Sequence, residues 1–106
     1  MSGYLQVYTA TATRDETVQL AGSAVGAGLA ASAQVVGPVV SVFWHEGQYG
    51  EGEERKVLLK TTERRYAELE AHLLEQHSWA NPEVSAVLIT AGSAAYLDWL
   101  DRTTKG

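Results

Sequence analysis

Apolar and polar positions along the chain fall into runs of two different periods, and their order predicts the fold. Tyr4 to Ala10 reads as a strand, because Leu5, Val7 and the ring of Tyr8 are flanked by β-tolerant threonines in a short run. Thr13-Arg14-Asp15-Glu16 has the spacing of a capping box, in which the threonine hydroxyl takes an orphan amide and the glutamate three residues on answers it. A helix starts there, with Val18, Leu20, Ala21, Ala24, Val25 and Leu29 as its apolar face and Gly28 as its stop. Gly22, Gly26 and Ala27 make this helix thin, at about 1 kcal/mol of propensity per glycine, which implies close packing on a sheet.

Ser32 to Glu46 then carries Val35, Val36, Val39, Val40, Val42, Phe43 and Trp44, a strand bent at Gly37-Pro38. The polar, glycine-rich stretch from Glu46 to Gly52 reads as a loop, and Glu54 to Thr61 as the returning strand of a hairpin. Thr62 is placed to cap a second helix with Glu63 at its positive end, and Tyr66, Leu69, Leu73 and Leu74 form its apolar stripe. His72 falls near the charged face of that helix, where Glu68 can pair with it. His77 to Pro82 is a loop, Val84 to Thr90 a last strand, and Ser93 caps a short helix through Tyr96, Leu97, Trp99 and Leu100. Trp99 is expected to serve packing.

The order β-α-β-β-α-β plus a C-terminal helix is that of an α+β, ferredoxin-like split βαβ domain, with a four-stranded antiparallel sheet and helices on one face. Two helices cover one side only, whereas the middle strands are nearly continuously apolar, as strands are when both faces are buried. An oligomer that covers the second face follows.

Length and composition narrow the function. At 106 residues the chain has room for one core, so 1–106 is expected to be a single domain. A net charge of −5 with 8 scattered basic residues argues against nucleic acid, and favours cations as small partners. With no cysteine there is no disulfide, thiolate metal site or thiol nucleophile. The N-terminus lacks a signal-like pattern and no stretch suits a membrane span, which leaves a cytoplasmic location as the expectation.

Two groups of residues are candidates for chemistry. His45 and Glu46, adjacent at the mouth of the hairpin, could be joined by His77 and Glu83 from the later loop, a donor set suited to zinc, nickel or copper(II). The plain alternative is that His45 is an exposed strand end and Glu46 a solvated carboxylate. Tyr8, Trp44, Trp79 and Lys60 form the second group, aromatics with one cation able to grip a planar or anionic small molecule, with Glu83 nearby; subunit packing would use the same aromatics. Catalysis is not expected. Thr11-Ala12-Thr13-Arg14 lacks the glycines of a phosphate cradle, and no histidine neighbours a nucleophile elbow.

Gly28-Leu29-Ala30-Ala31-Ser32, Ser41-Val42-Phe43-Trp44-His45-Glu46-Gly47, Leu58-Leu59-Lys60-Thr61-Thr62, Pro82-Glu83-Val84 and Tyr96-Leu97-Asp98-Trp99-Leu100 occur in this order. Over these motifs the chain resembles the CutA divalent-cation tolerance proteins, from about Leu5 to Leu100. The resemblance implies a homotrimer in which hairpin strands extend across neighbours, clefts between subunits lined by hairpin and loop residues, and a link to tolerance of copper and other divalent metals. Ser32 stands where the family often has cysteine, Tyr8 where some members have another, Gln76 where some have a first histidine before His77, and His45 where an aromatic is common. The function expected is that of a non-enzymatic trimer associated with metal tolerance. The alternatives are a small-molecule-binding signalling trimer like the PII proteins, by analogy of architecture, and a structural trimer supporting a partner protein.

Overall fold

The computed structural model describes residues 3–104. Its elements are β1 (Tyr4–Thr11), α1 (Arg14–Gly26), β2 (Ser32–His45), β3 (Gln48–Thr62), α2 (Glu63–Gln76), β4 (Ser85–Leu88) and α3 (Ala94–Thr103). The strands form one antiparallel sheet in the order β2-β3-β1-β4. The predicted α+β, ferredoxin-like arrangement with a third helix is present.

The core lies between this sheet and the helices. Leu5 and Val7 of β1 and Val57 and Leu59 of β3 alternate toward Leu20, Ala21 and Ala24 of α1 and Leu69 and Leu73 of α2. The capping box forms, with the Thr13 hydroxyl accepting from the Glu16 N–H at 3.2 Å. Gly28, at φ 75, lets the chain turn after α1. Thr61, fully buried, donates to the Leu29 carbonyl at 2.7 Å and ties this turn to β3. Arg64 of α2 holds α3 through the Asp101 carboxylate at 2.6 Å and carbonyl at 2.8 Å.

Several details differ from the sequence expectation. Close approach of α1 to the sheet comes from Ala21 and Ala24; Gly22, Gly26 and Ala27 face outward, and a Cβ at either glycine would meet nothing. Val18 and Leu74 are exposed, and Leu29 packs in the core from beyond the helix. Thr62 occupies the N-cap of α2 but caps nothing with its side chain, which lies 3.4 Å from the Thr104 hydroxyl. His72 turns toward α1 and meets the Ser23 hydroxyl at 2.7 Å, while Glu68 pairs with Arg65. Trp99 is exposed on the subunit, beside Tyr96.

The largest difference is in the hairpin. In place of a loop from Glu46 to Gly52, β3 begins at Gln48 and the turn is only Glu46-Gly47, with φ of 50 and 79. Two left-handed residues match the twist of the flanking strands, as two-residue hairpin turns require. Glycines misled the sequence reading because Gly50 and Gly52 sit within a strand. Gly50 pairs with Phe43 and Gly52 with Ser41, and a Cβ at Gly50 would lie 3.1 Å from the Phe43 ring.

The hairpin therefore runs far past the helices. The register shifts between Val36 and Val39, after which Val40, Val42 and Trp44 stand opposite Glu53, Glu51 and Tyr49. Val40, Val42, Trp44 and Tyr49 are all exposed, an apolar stripe that no described residue of the subunit covers.

Candidate functional site

Strand alternation and the loop before β4 together build a groove on the helix-free face of the sheet. Ala10 shares a face with its partner Lys56 and with Glu54; across the hairpin, Ser41, Phe43 and His45 project to the same side. Trp79, Ala80, Asn81 and Glu83 wall the other flank, enclosing about 930 Å³ with Trp44 and Glu46 at the hairpin end. The Ser41 hydroxyl donates to Glu54 at 2.8 Å, and the Ser85 hydroxyl to Glu83 at 2.7 Å.

The loop owes its shape to His77. Its Nε2 donates to the Ala10 carbonyl at 2.7 Å, and its Nδ1 accepts the Trp79 N–H at 2.9 Å, a pairing that fixes the tautomer. The Trp79 ring lies 5.1 Å from the imidazole. Ser78 donates to Glu16 at 2.7 Å, linking the loop to α1. His77 thus faces a separate recess of about 430 Å³ between α1 and the end of α2, together with Gln76, Glu16 and Ser23.

Of the residues expected to bind metal, His45 and Glu46 meet, with Nε2 3.0 Å from Oε1, both well exposed. His77 does not join them, and both its nitrogens are engaged in holding the loop. Among the described residues no three carboxylate or imidazole groups converge, so the donor set of one subunit does not fit a metal centre.

Of the second group, Trp44, Trp79 and Glu83 line the groove, whereas Tyr8 and Lys60 do not. Tyr8 accepts from the Gln6 amide at 2.6 Å and lies under the ammonium of Lys56, at 5.3 Å from the ring centre, so its cation is Lys56 and not Lys60. Lys60 pairs with Gln6 and Ser32, farther along the sheet. Sequence reasoning missed Ser41, Phe43, Glu54 and Asn81. The signal for the first three was the period-2 alternation, hidden by treating Glu46 to Gly52 as a loop.

With this geometry established, comparison with known proteins places the chain. The profile of the family described as CutA1 divalent ion tolerance protein matches residues 5–103. The chain belongs to the CutA1 family. It is 33% identical over 99 residues to the chloroplastic protein CutA 1 of Oryza sativa, a match covering 93% of this chain but 56% of that one, so it spans little more than half of the rice protein. CutA from Synechococcus elongatus superposes with a TM-score of 0.92 at 33% identity, over 97% of this chain and 91% of that one. The periplasmic divalent cation tolerance protein CutA from Archaeoglobus fulgidus gives 0.90 at 28% identity, over 99% and 100% of the respective chains. Relatives with chloroplastic and periplasmic names leave the compartment of this CutA1 family member open, and no helix among its described residues is long and apolar enough to cross a membrane. Relatives in Archaeoglobus fulgidus and Escherichia coli carry the name divalent-cation tolerance protein CutA.

Proposed function

We propose that this chain acts as a divalent-cation tolerance protein of the cytoplasm, working without catalysis as a homotrimer. The observation that carries the reading is the hairpin beyond the subunit core, whose Val40, Val42, Trp44 and Tyr49 are exposed in a family named for ion tolerance. Hairpins of neighbouring subunits would cover one another's apolar stripes. His45 and Glu46, at the hairpin end, are the pair that would meet a copper, zinc or nickel ion, with neighbouring subunits supplying the remaining donors.

Calorimetric titration of the three metals into the purified protein tests this. Binding that weakens on His45→Ala and is unaffected by His77→Gln supports the reading. Absence of binding in the wild type, or binding indifferent to His45→Ala, overturns the metal assignment.

A further inference from the structure

The fold joins a serine and a histidine that stand 49 residues apart in the chain and that metal tolerance does not use. The Ser23 hydroxyl of α1 lies 2.7 Å from Nε2 of His72 on α2. With the ring proton on Nδ1, Nε2 is an acceptor and the hydroxyl donates to it, the contact a nucleophilic serine makes with its base. Ser41, Ser78 and Ser85 differ, each donating to a glutamate. A carboxylate is too weak a base to take a hydroxyl proton near neutral pH, whereas imidazole is matched to that task.

The Ser23 hydroxyl is also within reach of a small molecule. Ser23 is half-buried and lines the recess of about 430 Å³ between α1 and the end of α2, on the helix side of the sheet and away from the face left for neighbouring subunits. Gly22 and Gly26 flank it on α1, and even a Cβ at either would meet nothing, so no side chain at those positions shields the approach. The thinness of α1 thereby gains a use that packing on the sheet does not give it. Gln19 lies one helical turn before Ser23 and Gln76 one turn after His72, and both wall the recess. Their carboxamide N–H groups are of the kind that stabilise a developing oxyanion. Leu20 adds apolar surface, and the Glu16 carboxylate in the same wall disfavours an anionic substrate.

We propose that Ser23 is an acyl-acceptor site for small, uncharged, activated esters, with His72 as its base. The serine oxygen attacks the ester carbonyl carbon while its proton passes to His72 Nε2. As the tetrahedral species collapses, the bond to the leaving oxygen breaks and His72 returns the proton to that oxygen. A serine ester and a free alcohol or phenol result. The step is stoichiometric, so it stands beside the non-catalytic reading, and it uses neither His45 nor a metal.

The test treats the full chain in its native assembly with para-nitrophenyl acetate and follows each site of acetylation over time by peptide mass spectrometry. Ser23 should be labelled at least about tenfold faster than Ser78, although Ser78 is the more exposed. His72→Gln keeps an acceptor beside the hydroxyl but removes the base, so it should slow the labelling of Ser23 by about a hundredfold, with circular dichroism checking the fold. Ser23→Ala should lose the label from that peptide and leave acetylation of the lysines unchanged. If His72→Gln does not fold, the comparison of Ser23 with Ser41, Ser78 and Ser85 in the wild type carries the test. Acetyl groups on amines alone, Ser23 labelled no faster than Ser78, or wild-type labelling of Ser23 in folded His72→Gln would overturn the proposal and leave a hydrogen bond that only ties α1 to α2.

Discussion

Truncating Trp44 to alanine separates the contribution of the hairpin to assembly from its contribution to the subunit. An indole side chain presents about 200 Å², and Trp44 is 75% exposed on the isolated subunit, which leaves about 150 Å² for a neighbour to cover. At about 25 cal/mol per Å² this amounts to about 4 kcal/mol per subunit, of which alanine would keep about 1. A loss of about 3 kcal/mol weakens association by about a hundredfold at each interface. Within the subunit the one aromatic partner of Trp44 among the described residues is Tyr49, edge-on at 6.0 Å, a contact worth about 1 kcal/mol, so the fold itself should survive. Sedimentation velocity over a dilution series, with far-ultraviolet circular dichroism as the check on folding, measures both quantities. The wild type should sediment as a trimer at micromolar concentration, and Trp44→Ala should dissociate at concentrations at least about a hundredfold higher. A monomeric wild type, or a Trp44→Ala protein that is folded and associates as tightly as the parent, would refute the reasoning.

Thr9 and Thr61 are both buried on the core face, yet the Thr9 hydroxyl has no partner while that of Thr61 donates to Leu29. Thr9→Val should therefore raise the denaturation midpoint, and Thr61→Val should cost about 1–2 kcal/mol by stranding a carbonyl, both read by chemical denaturation at fixed protein concentration. Glu46 sits at φ 50, where a side chain with a Cβ is strained, so Glu46→Gly should stabilise the hairpin by up to about 1 kcal/mol in the same assay. Burial, and then the charge and hydrogen bond of Glu70, push the Tyr66 phenol above its ordinary 10.0. Its folded-state pKa is raised, so its contribution is full below pH 10.0 and is lost as pH rises through the folded value; Tyr66→Phe should flatten the alkaline limb of the stability profile.

How far the sequence speaks depends on whether a local pattern and the tertiary packing agree. At Thr13-x-x-Glu16 they agree, because both partners of the cap lie within one turn, and the helix starts where the motif places it. At Gly50 they conflict. Local propensity says loop, but the Phe43 ring needs the space that a strand glycine leaves, and the cross-strand pairing that supplies the ring is fixed by the Glu46-Gly47 turn. Val18 and Leu74 fail for a related reason: periodicity marks an apolar face more generously than a small sheet can cover. For the site, Trp44, Trp79 and Glu83 were legible as residue types near the hairpin mouth. The role of His77 was not, because an imidazole that holds a loop and one that binds a metal have the same letter, and only its two hydrogen bonds, to Ala10 and Trp79, tell them apart.

The corrected register has a further consequence for how one hairpin can serve two purposes. With β3 beginning at Gln48, Val40, Val42 and Trp44 project from one face of the hairpin and Ser41, Phe43 and His45 from the other. The first set is the apolar stripe that a neighbour would cover; the second lines the groove on the helix-free face. Substitutions on opposite faces share few partners, so their effects on the stability of the assembly should add. Trp44, which borders the groove while projecting from the stripe, is the one place where the two should couple. A Trp44→Ala, Glu54→Gln double variant that departs from additivity more than a Val42→Ala, Glu54→Gln pair would locate that coupling at the hairpin end, and equal departures would show that the two faces are not separate.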